Sequence, residues 1–333
     1  MIVLKRGFPG FCGCSSVVEH LLAKERVESS NLFIRLILFP SFLFVELGIL
    51  SILRDEEHNL ASFFKFLESI ESSFVFDSIV YSFYENDSSD KTRDVLSGWL
   101  KTRHAYLSVD DFNESPFASF SQDKLRTQRL ARCRNIALEP LLNSTLPWLL
   151  IVDADISLSL NNVLELFRWK FKYRFSSMMC ASSVQNVPDI FGHFPYSYYD
   201  SWALRDLYGY GGISFAENPF THPLDRWRWQ ARLPVSVSSA FGGLALVDLG
   251  IVRKFNQYWN GDCGCEHWSF CESARQFAPV YACPTVMPRV VHPSPIPTWC
   301  QDYPQSIYNL LSIRHQEFCA SLNISSHCLG VFS

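Results

Sequence analysis

Three short apolar runs, each closed by a polar turn rich in acids, restrict this chain more than any other feature of it. They are Leu47 to Leu53, closed by Arg54-Asp-Glu-Glu57; Ile79 to Tyr84, closed by Glu85-Asn-Asp-Ser-Ser-Asp90; and Trp148 to Val152, closed by Asp153-Ala154-Asp155. The first two turns lead into helical patterns that run through Ile70 and to about Leu100. A further short strand is expected at Ala105 to Val109, and a basic helix from Lys124 to Leu142 carrying Arg126, Arg129, Arg132 and Arg134. Strand, loop and helix in alternation predict a parallel sheet with crossover helices, in which ligands bind beyond the carboxyl ends of the strands. All three acidic turns fall at such ends.

The rest of the composition agrees with a large α/β fold. Of 333 residues, 48% are hydrophobic and 19% charged, enough apolar material to build a sizeable core and too much for disorder. A net charge of -4 with interspersed signs leaves no basic stripe to follow a nucleic-acid backbone, so nucleic acid is excluded as a partner. Eleven cysteines leave at least one unpaired, and their spacing matches no zinc ribbon or finger. Cys263, Cys265, Cys271, Cys283 and Cys300 form either one or two disulfides in an oxidising lumen or a set of buried thiols. Sequons at Asn86, Asn113, Asn143 and Asn323 suit a secretory protein.

Residues 1–45 do not share this pattern. The stretch from Cys14 to Leu32 resembles the peptide produced when a transfer-RNA gene is translated, and the apolar run from Leu32 to Ile52 is broken by Arg35, Pro40 and Glu46. A bilayer-spanning helix needs about 20 clean apolar residues. The segment is therefore set apart, either as a gene-model artefact or as a weak membrane anchor, and the second half of the apolar run reads as a core strand.

The chemistry gathers at Asp153-Ala154-Asp155. Two carboxylates one residue apart, where a buried strand emerges, can aim at one hard divalent cation, Mn²⁺ or Mg²⁺, and leave positions open for phosphate oxygens. Acids are costly in such a place unless they bind something, whereas a turn or helix cap is the plainer use of the same residues. Glu85 and Asp87 can receive a ribose hydroxyl or a base edge, and Arg54 and Asp55 can meet diphosphate and base; solvated loops and a surface ion pair are the alternatives. Of the helix arginines, Arg134 is a candidate for phosphate. From about residue 168 onward the chain is rich in aromatics, among them Tyr196, Tyr198, Tyr199, Trp202, Tyr208, Trp227 and Trp229, which either stack on sugar rings or fill a core.

These residues together resemble the GT-A glycosyltransferases. The segments Ile52-Leu-Arg-Asp-Glu-Glu57 and Tyr84-Glu-Asn-Asp-Ser-Ser-Asp-Lys-Thr92 are similar to the nucleotide-binding strand ends of that superfamily. More specifically, Arg129-Leu-Ala-Arg-Cys-Arg-Asn-Ile-Ala-Leu-Glu-Pro-Leu141, Tyr198-Tyr-Asp-Ser-Trp-Ala-Leu-Arg-Asp206, Ser239-Ala-Phe-Gly-Gly-Leu-Ala245 and Cys265-Glu-His-Trp-Ser-Phe270 resemble the fungal capsule-associated α-1,3-mannosyltransferase family. The resemblance implies a GT-A, Rossmann-like mixed sheet flanked by helices in a single domain. Residues 46–167 would be its nucleotide-sugar-binding half and 168–333 its acceptor-binding half and tail. It also implies a nucleotide-diphosphate sugar donor, GDP-mannose before a UDP-sugar, a divalent cation, a glycan or glycoprotein acceptor, and a Golgi or other endomembrane lumen before the cytoplasm. Asp-Ala-Asp stands where those mannosyltransferases usually carry an Asn-Asp pair, which leaves the donor open.

Within that frame further positions are candidates. Glu266 is the acid beside the reacting centre, either a general base or a stabiliser of positive charge at the sugar, with a helix-start carboxylate as the plainer reading. His292 can complete the metal shell, with His267 as competitor. Gly242 and Gly243 either let a sugar approach the backbone or make a tight turn. Asp200 and Arg205 either orient a substrate or form an ion pair along a helix. A catalytically inactive nucleotide-sugar- or glycan-binding protein on the same scaffold is the rival reading of the whole set.

Overall fold

The computed structural model describes residues 45–73, 75–113, 124–186, 196–213 and 216–290. Every described residue belongs to one compact unit.

The first half alternates as expected: β1 (Glu46–Leu53), α1 (Glu57–Glu71), β2 (Ser78–Asn86), α2 (Thr92–Leu100), β3 (Ala105–Asp110), α3 (Lys124–Leu142) and β4 (Trp148–Val152). Then follow β5 (Ile156–Ser157), α4 (Leu160–Lys172), β6 (Met178–Cys180), β7 (Val184–Asn186), β8 (Tyr196–Tyr198), α5 (Pro223–Gln230), β9 (Val235–Val237), β10 (Leu244–Asp248) and α6 (Leu249–Val252). The last described elements are α7 (Glu266–Arg275), β11 (Val280–Ala282) and β12 (Arg289–Val290).

An eight-stranded mixed sheet in the order β3-β2-β1-β4-β10-β6-β11-β9 carries the fold. Its β3-β2-β1-β4 half is parallel, and β10 enters antiparallel to β4 with Leu244 opposite Val152. The sheet is therefore shared by both halves of the chain, as the GT-A resemblance implies. Strand β4 lies inside it with all five residues buried, and successive side chains serve opposite faces. Leu149 and Ile151 enter the core that also holds Leu138, Ala245 and Phe270, whereas Trp148, Leu150 and Val152 enter the one that holds Leu67, Phe167 and Leu246. A small sheet, β5-β12-β7-β8, stands beside the ends of β4 and β6 and has no counterpart in the sequence reading.

Two expectations are sharpened. β2 runs two residues beyond Tyr84, so Glu85 and Asn86 belong to the strand and not to its turn. The helix that the plainer reading of Glu266 requires runs over Glu266–Arg275, with Glu266 as its first residue. Cys133, Cys180, Cys263, Cys265, Cys271 and Cys283 are all free, which favours buried thiols over disulfides among the described residues, with Cys263 exposed; Cys300 lies outside them. Of the aromatic residues, Tyr198 and Trp229 are core, packed edge to face with ring centroids 5.9 Å apart, whereas Tyr208 and Trp227 are exposed. Among the described residues no helix is long and apolar enough to cross a membrane.

Candidate functional site

The acid pair leaves β4 against the strand that pairs with it. The Asp153 amide donates to the Gly243 carbonyl at 2.8 Å, so the turn before β10 sits directly beside Asp153-Ala154-Asp155. Gly242 and Gly243 make that turn with φ of 65° and 69°, in the left-handed region where side chains are strained. A Cβ on Gly242 would lie 2.2 Å from the Ala181 carbonyl oxygen, and one on Gly243 would lie 2.7 Å from Ile156 Cδ1. The protein's own packing demands both glycines, in keeping with the tight-turn alternative. The freed Gly242 amide donates to Asp200 Oδ2 at 2.9 Å, and the Ala203 amide to Oδ1 at 3.3 Å. Asp200 is thereby anchored at the acid turn, in a bend and not on a helix. Arg205 is not its ion-pair partner: its guanidinium lies 4.1 Å over the Trp268 ring.

Arg134 is the cation of the site. Its side chain, 5% exposed, reaches from α3 to Asp153 Oδ1 with Nη2 (3.3 Å) and to Glu266 Oε1 with Nε (3.4 Å). The third nitrogen, Nη1, is buried with no hydrogen-bond partner among the described residues. Such a donor is costly to leave unmatched, and it belongs where a ligand oxygen arrives.

Glu266 opens α7, where the helix N-terminus favours negative charge. Beside it His267 Nε2 lies 3.5 Å from Glu266 Oε1, while His267 Nδ1 accepts from Trp259 Nε1 at 3.4 Å. The Trp259 donor assigns the ring proton to Nε2, facing Glu266. Burial, with Arg134 adding to it, holds the His267 pKa well below the usual histidine range, so the ring is neutral and stacks on Phe241 at 4.0 Å. In this arrangement Nδ1 is engaged by Trp259 and Nε2 faces Glu266, so His267 is a partner of Glu266.

The electrostatics show what the cluster lacks. Burial pushes the pKa values of Asp153 and Asp155 up, with each also raised by neighbouring carboxylates and lowered by Arg134. Asp200 is pushed up to about 6, chiefly by burial and further by Asp153 and Glu266. Glu56, pushed up to about 7 by burial and by Asp153, Asp90 and Asp55, is a fifth acid that the sequence reading passed over. It stands at the start of α1 with its carboxylate accepting from Asn59 Nδ2 at 2.7 Å. Carboxylates thus crowd a strand end that stays open to solvent, since the Asp153 side chain keeps 29% of its exposure, and Arg134 is the cation that contacts two of them, Asp153 and Glu266.

The outer strand-end residues have structural duties. Glu85 is fully buried, 2.6 Å from Arg93 Nε, and accepts from the Ser88 amide, so it is not free to receive a ribose hydroxyl. Asp55 accepts from the Ser89 amide and Asp87 from the Asn113 amide, with Arg54 within 3.7 and 3.8 Å of the two acids. These contacts tie the loops after β1, β2 and β3 together, close to the ion-pair alternative and short of a demonstrated nucleotide contact. His292 lies outside the described residues.

Hard carboxylate oxygens in excess over local positive charge are the donor set a divalent cation takes. Among the described residues no three His, Cys, Asp or Glu side chains gather closely enough to hold a metal by themselves. Asp153 and Asp155 therefore fit a cation that completes its shell with phosphate oxygens and water, the usual habit of Mg²⁺.

A family model described as Cryptococcal mannosyltransferase 1 matches residues 47–276. No curated protein matches the chain. Solved structures similar to it include S. aureus TarS 1-349, at 10% identity and TM-score 0.42, with 74% of this chain and 60% of that one covered. GalNAc-T7 with UDP, GalNAc and Mn²⁺ is 14% identical at TM-score 0.45, with 75% and 44% covered. The mannosyltransferase PcManGT from Pyrobaculum calidifontis, in complex with GDP-Man and Mn²⁺, is 12% identical at TM-score 0.43, with 82% and 68% covered. The chain thus spans about 60% of the length of TarS 1-349 and 44% of that of GalNAc-T7. The family match takes in β1 to the end of α7 and with them Arg134, Asp153, Asp155, Asp200 and Glu266, and on that extent the chain belongs to the Cryptococcal mannosyltransferase 1 family of glycosyltransferases.

Proposed function

We propose that this protein transfers a hexose, mannose before others, from a nucleotide-diphosphate sugar to a hydroxyl of a glycan or glycoprotein, with Mn²⁺ or Mg²⁺ at Asp153 and Asp155. The observation that carries the reading is the cluster of Asp153, Asp155, Asp200 and Glu266 at the end of β4, in which the buried Arg134 bridges Asp153 and Glu266.

A divalent cation held there would neutralise the diphosphate as it departs, without a proton being needed. Arg134 fixes the carboxylates of Asp153 and Glu266 relative to one another and turns Nη1 toward incoming oxygen. Glu266, oriented by Arg134 and His267, is placed to accept the acceptor hydroxyl's proton or to stabilise positive charge at the sugar. Asp200 is the second acid with this access, its carboxylate aimed by the Gly242 amide. GDP-mannose is the first donor to test and UDP-sugars the second. An endomembrane lumen is the setting we favour: Asn143 is exposed in the turn after α3, where a sequon is usable, although Asn86 is 7% exposed in β2 and closed to modification in the folded chain.

A screen of GDP- and UDP-sugars with excess Mn²⁺, read as nucleoside diphosphate released with and without glycan acceptors, tests the reading. We expect one donor class to turn over and the Asp153→Ala/Asp155→Ala variant to lose that turnover. Full activity in the variant, or binding of nucleotide without turnover on any acceptor, overturns it.

A further inference from the structure

The segment that leads into α7 is pressed against α3. Thr127 Oγ1 donates to the Gly261 carbonyl at 2.6 Å, and a Cβ on Gly261 would lie 2.1 Å from the Gln128 backbone nitrogen. Both backbone groups of Trp259 are taken by one carboxamide: Asn135 Nδ2 donates to the Trp259 carbonyl at 2.9 Å, and the Trp259 amide donates to Asn135 Oδ1 at 3.1 Å. Asn135 follows Arg134 on α3. The residue that orders this segment is thus the chain neighbour of the one that orders the acids.

The indole of Trp259 is equally fixed. It is 3% exposed and lies on Phe270, with ring centroids 4.0 Å apart and planes inclined by 13°. Apolar burial accounts for the ring, and a phenylalanine would supply that as well. Burial does not account for the donor, which is spent on His267 Nδ1 at 3.4 Å and not on a backbone carbonyl. An indole nitrogen only donates, so Nδ1 accepts and the imidazole proton sits on Nε2, 3.5 Å from Glu266 Oε1. Burial, with Arg134 adding to it, keeps His267 neutral, so the ring has a single N–H and Trp259 sets its direction.

The two oxygens of Glu266 are thereby made unequal. Oε1 faces two donors, Arg134 Nε at 3.4 Å and His267 Nε2 at 3.5 Å. Phe241 packs on both of them, 4.9 Å from the guanidinium carbon and 4.0 Å from the imidazole centroid. Among the described residues Oε2 meets the Cys265 thiol at 3.9 Å, a weak donor that a hydroxyl displaces readily. One oxygen holds the carboxylate in place and the other is offered.

We infer that Trp259, clamped by Asn135, and His267 are positioning residues for the transfer reaction, which pin Glu266 by Oε1 and leave Oε2 as the oxygen that meets substrate. The inference rests on the proposed transfer reaction and adds to it the working atom of Glu266 and the residues that aim it.

The test uses the full chain with Mn²⁺ and the donor and acceptor found in the screen. Trp259→Phe keeps a ring on Phe270 and removes the N–H, so kcat should fall about tenfold while both KM values stay within about twofold. His267→Gln can return an amide N–H to Oε1 and His267→Leu cannot, so the glutamine variant should keep most of the kcat that the leucine variant loses. Equal losses in the two His267 variants, or wild-type kcat in Trp259→Phe, overturn the inference and leave both residues as core packing. A second readout needs no donor. In nitrogen NMR of histidine-labelled protein, His267, identified by the signal that His267→Gln lacks, should carry its proton on Nε2 and lose that single tautomer in Trp259→Phe. A proton found on Nδ1, or a tautomer that Trp259→Phe leaves unchanged, overturns the inference whether or not the chain is a transferase. Failure of the transferase reading shows instead in the donor screen, before any variant is made.

Discussion

Arg134 Nη2 lies 3.3 Å from Asp153 Oδ1 while its Nε faces Glu266, so one buried guanidinium joins the acid at the end of the central strand to the acid at the start of α7. A lysine offers a point charge and cannot span two carboxylates in this way. Arg134→Lys is expected to keep the fold and lower kcat at least about a hundredfold, read as nucleoside diphosphate release. Arg134→Ala leaves the buried Glu266 and the part-buried Asp153 without their cation and should cost about 3 kcal/mol in denaturant unfolding. A Lys variant with wild-type kcat would remove Arg134 from the site.

The acids set the pH dependence of the metal-free protein. Folding raises Asp200 to about 6 and Glu56 to about 7, and raises Asp153 and Asp155, from the ordinary carboxylate range. The folded chain therefore binds more protons than the unfolded one between about pH 4 and pH 7, and stability falls as pH rises through that window. Thermal melts in chelator should show Tm decreasing from pH 5 to pH 7.5. Mn²⁺ competes with protons for the same oxygens, so its gain in Tm should be larger at pH 7.5 than at pH 5. Equal gains at both values would count against a carboxylate metal site.

Gly242 and Gly243 differ in what surrounds them. A methyl group on Gly242 meets backbone, the Ala181 carbonyl at 2.2 Å, whereas one on Gly243 meets the end of the Ile156 side chain at 2.7 Å. Both variants suffer the positive φ, but only Gly242→Ala forces the backbone apart beside Asp200. Urea unfolding should place Gly242→Ala below Gly243→Ala by about 1 kcal/mol or more, with the former also losing activity.

The cysteines answer to burial. Of the described thiols Cys263 is exposed, and burial pushes the Cys133 and Cys271 thiols up to about 11. A thiol reagent applied to the native protein should modify Cys263 rapidly and the other described cysteines only on unfolding. Cys263→Ser should remove that fast phase, as peptide mapping of the labelled chain would show.

Much of this architecture was legible because local pattern decides it. Continuous apolar runs bounded by polar turns specify buried parallel strands, and α3 and β4 fall on Lys124–Leu142 and Trp148–Val152 as their periodicity predicts. The acids at the end of β4 follow from the same pattern, because the turn after a buried strand has to emerge at its carboxyl end.

Partnership between distant segments was not legible. Arg126, Arg129, Arg132 and Arg134 look alike along the helix, and only the docking of α3 against α7 turns Arg134 into the site. Glu85 reads as a turn acid until pairing with β1 and β3 carries β2 on to Asn86 and buries Glu85 against Arg93. Glu56, Asp200 and the two glycines reach the acid turn through the β4–β10 pairing and the packing around it, across spans of up to about a hundred residues. The sequence by itself determined the strands, the helices and the acids at their ends, because those depend on near neighbours; the tertiary structure alone decided which charges share a site, because that depends on contacts that no local pattern encodes.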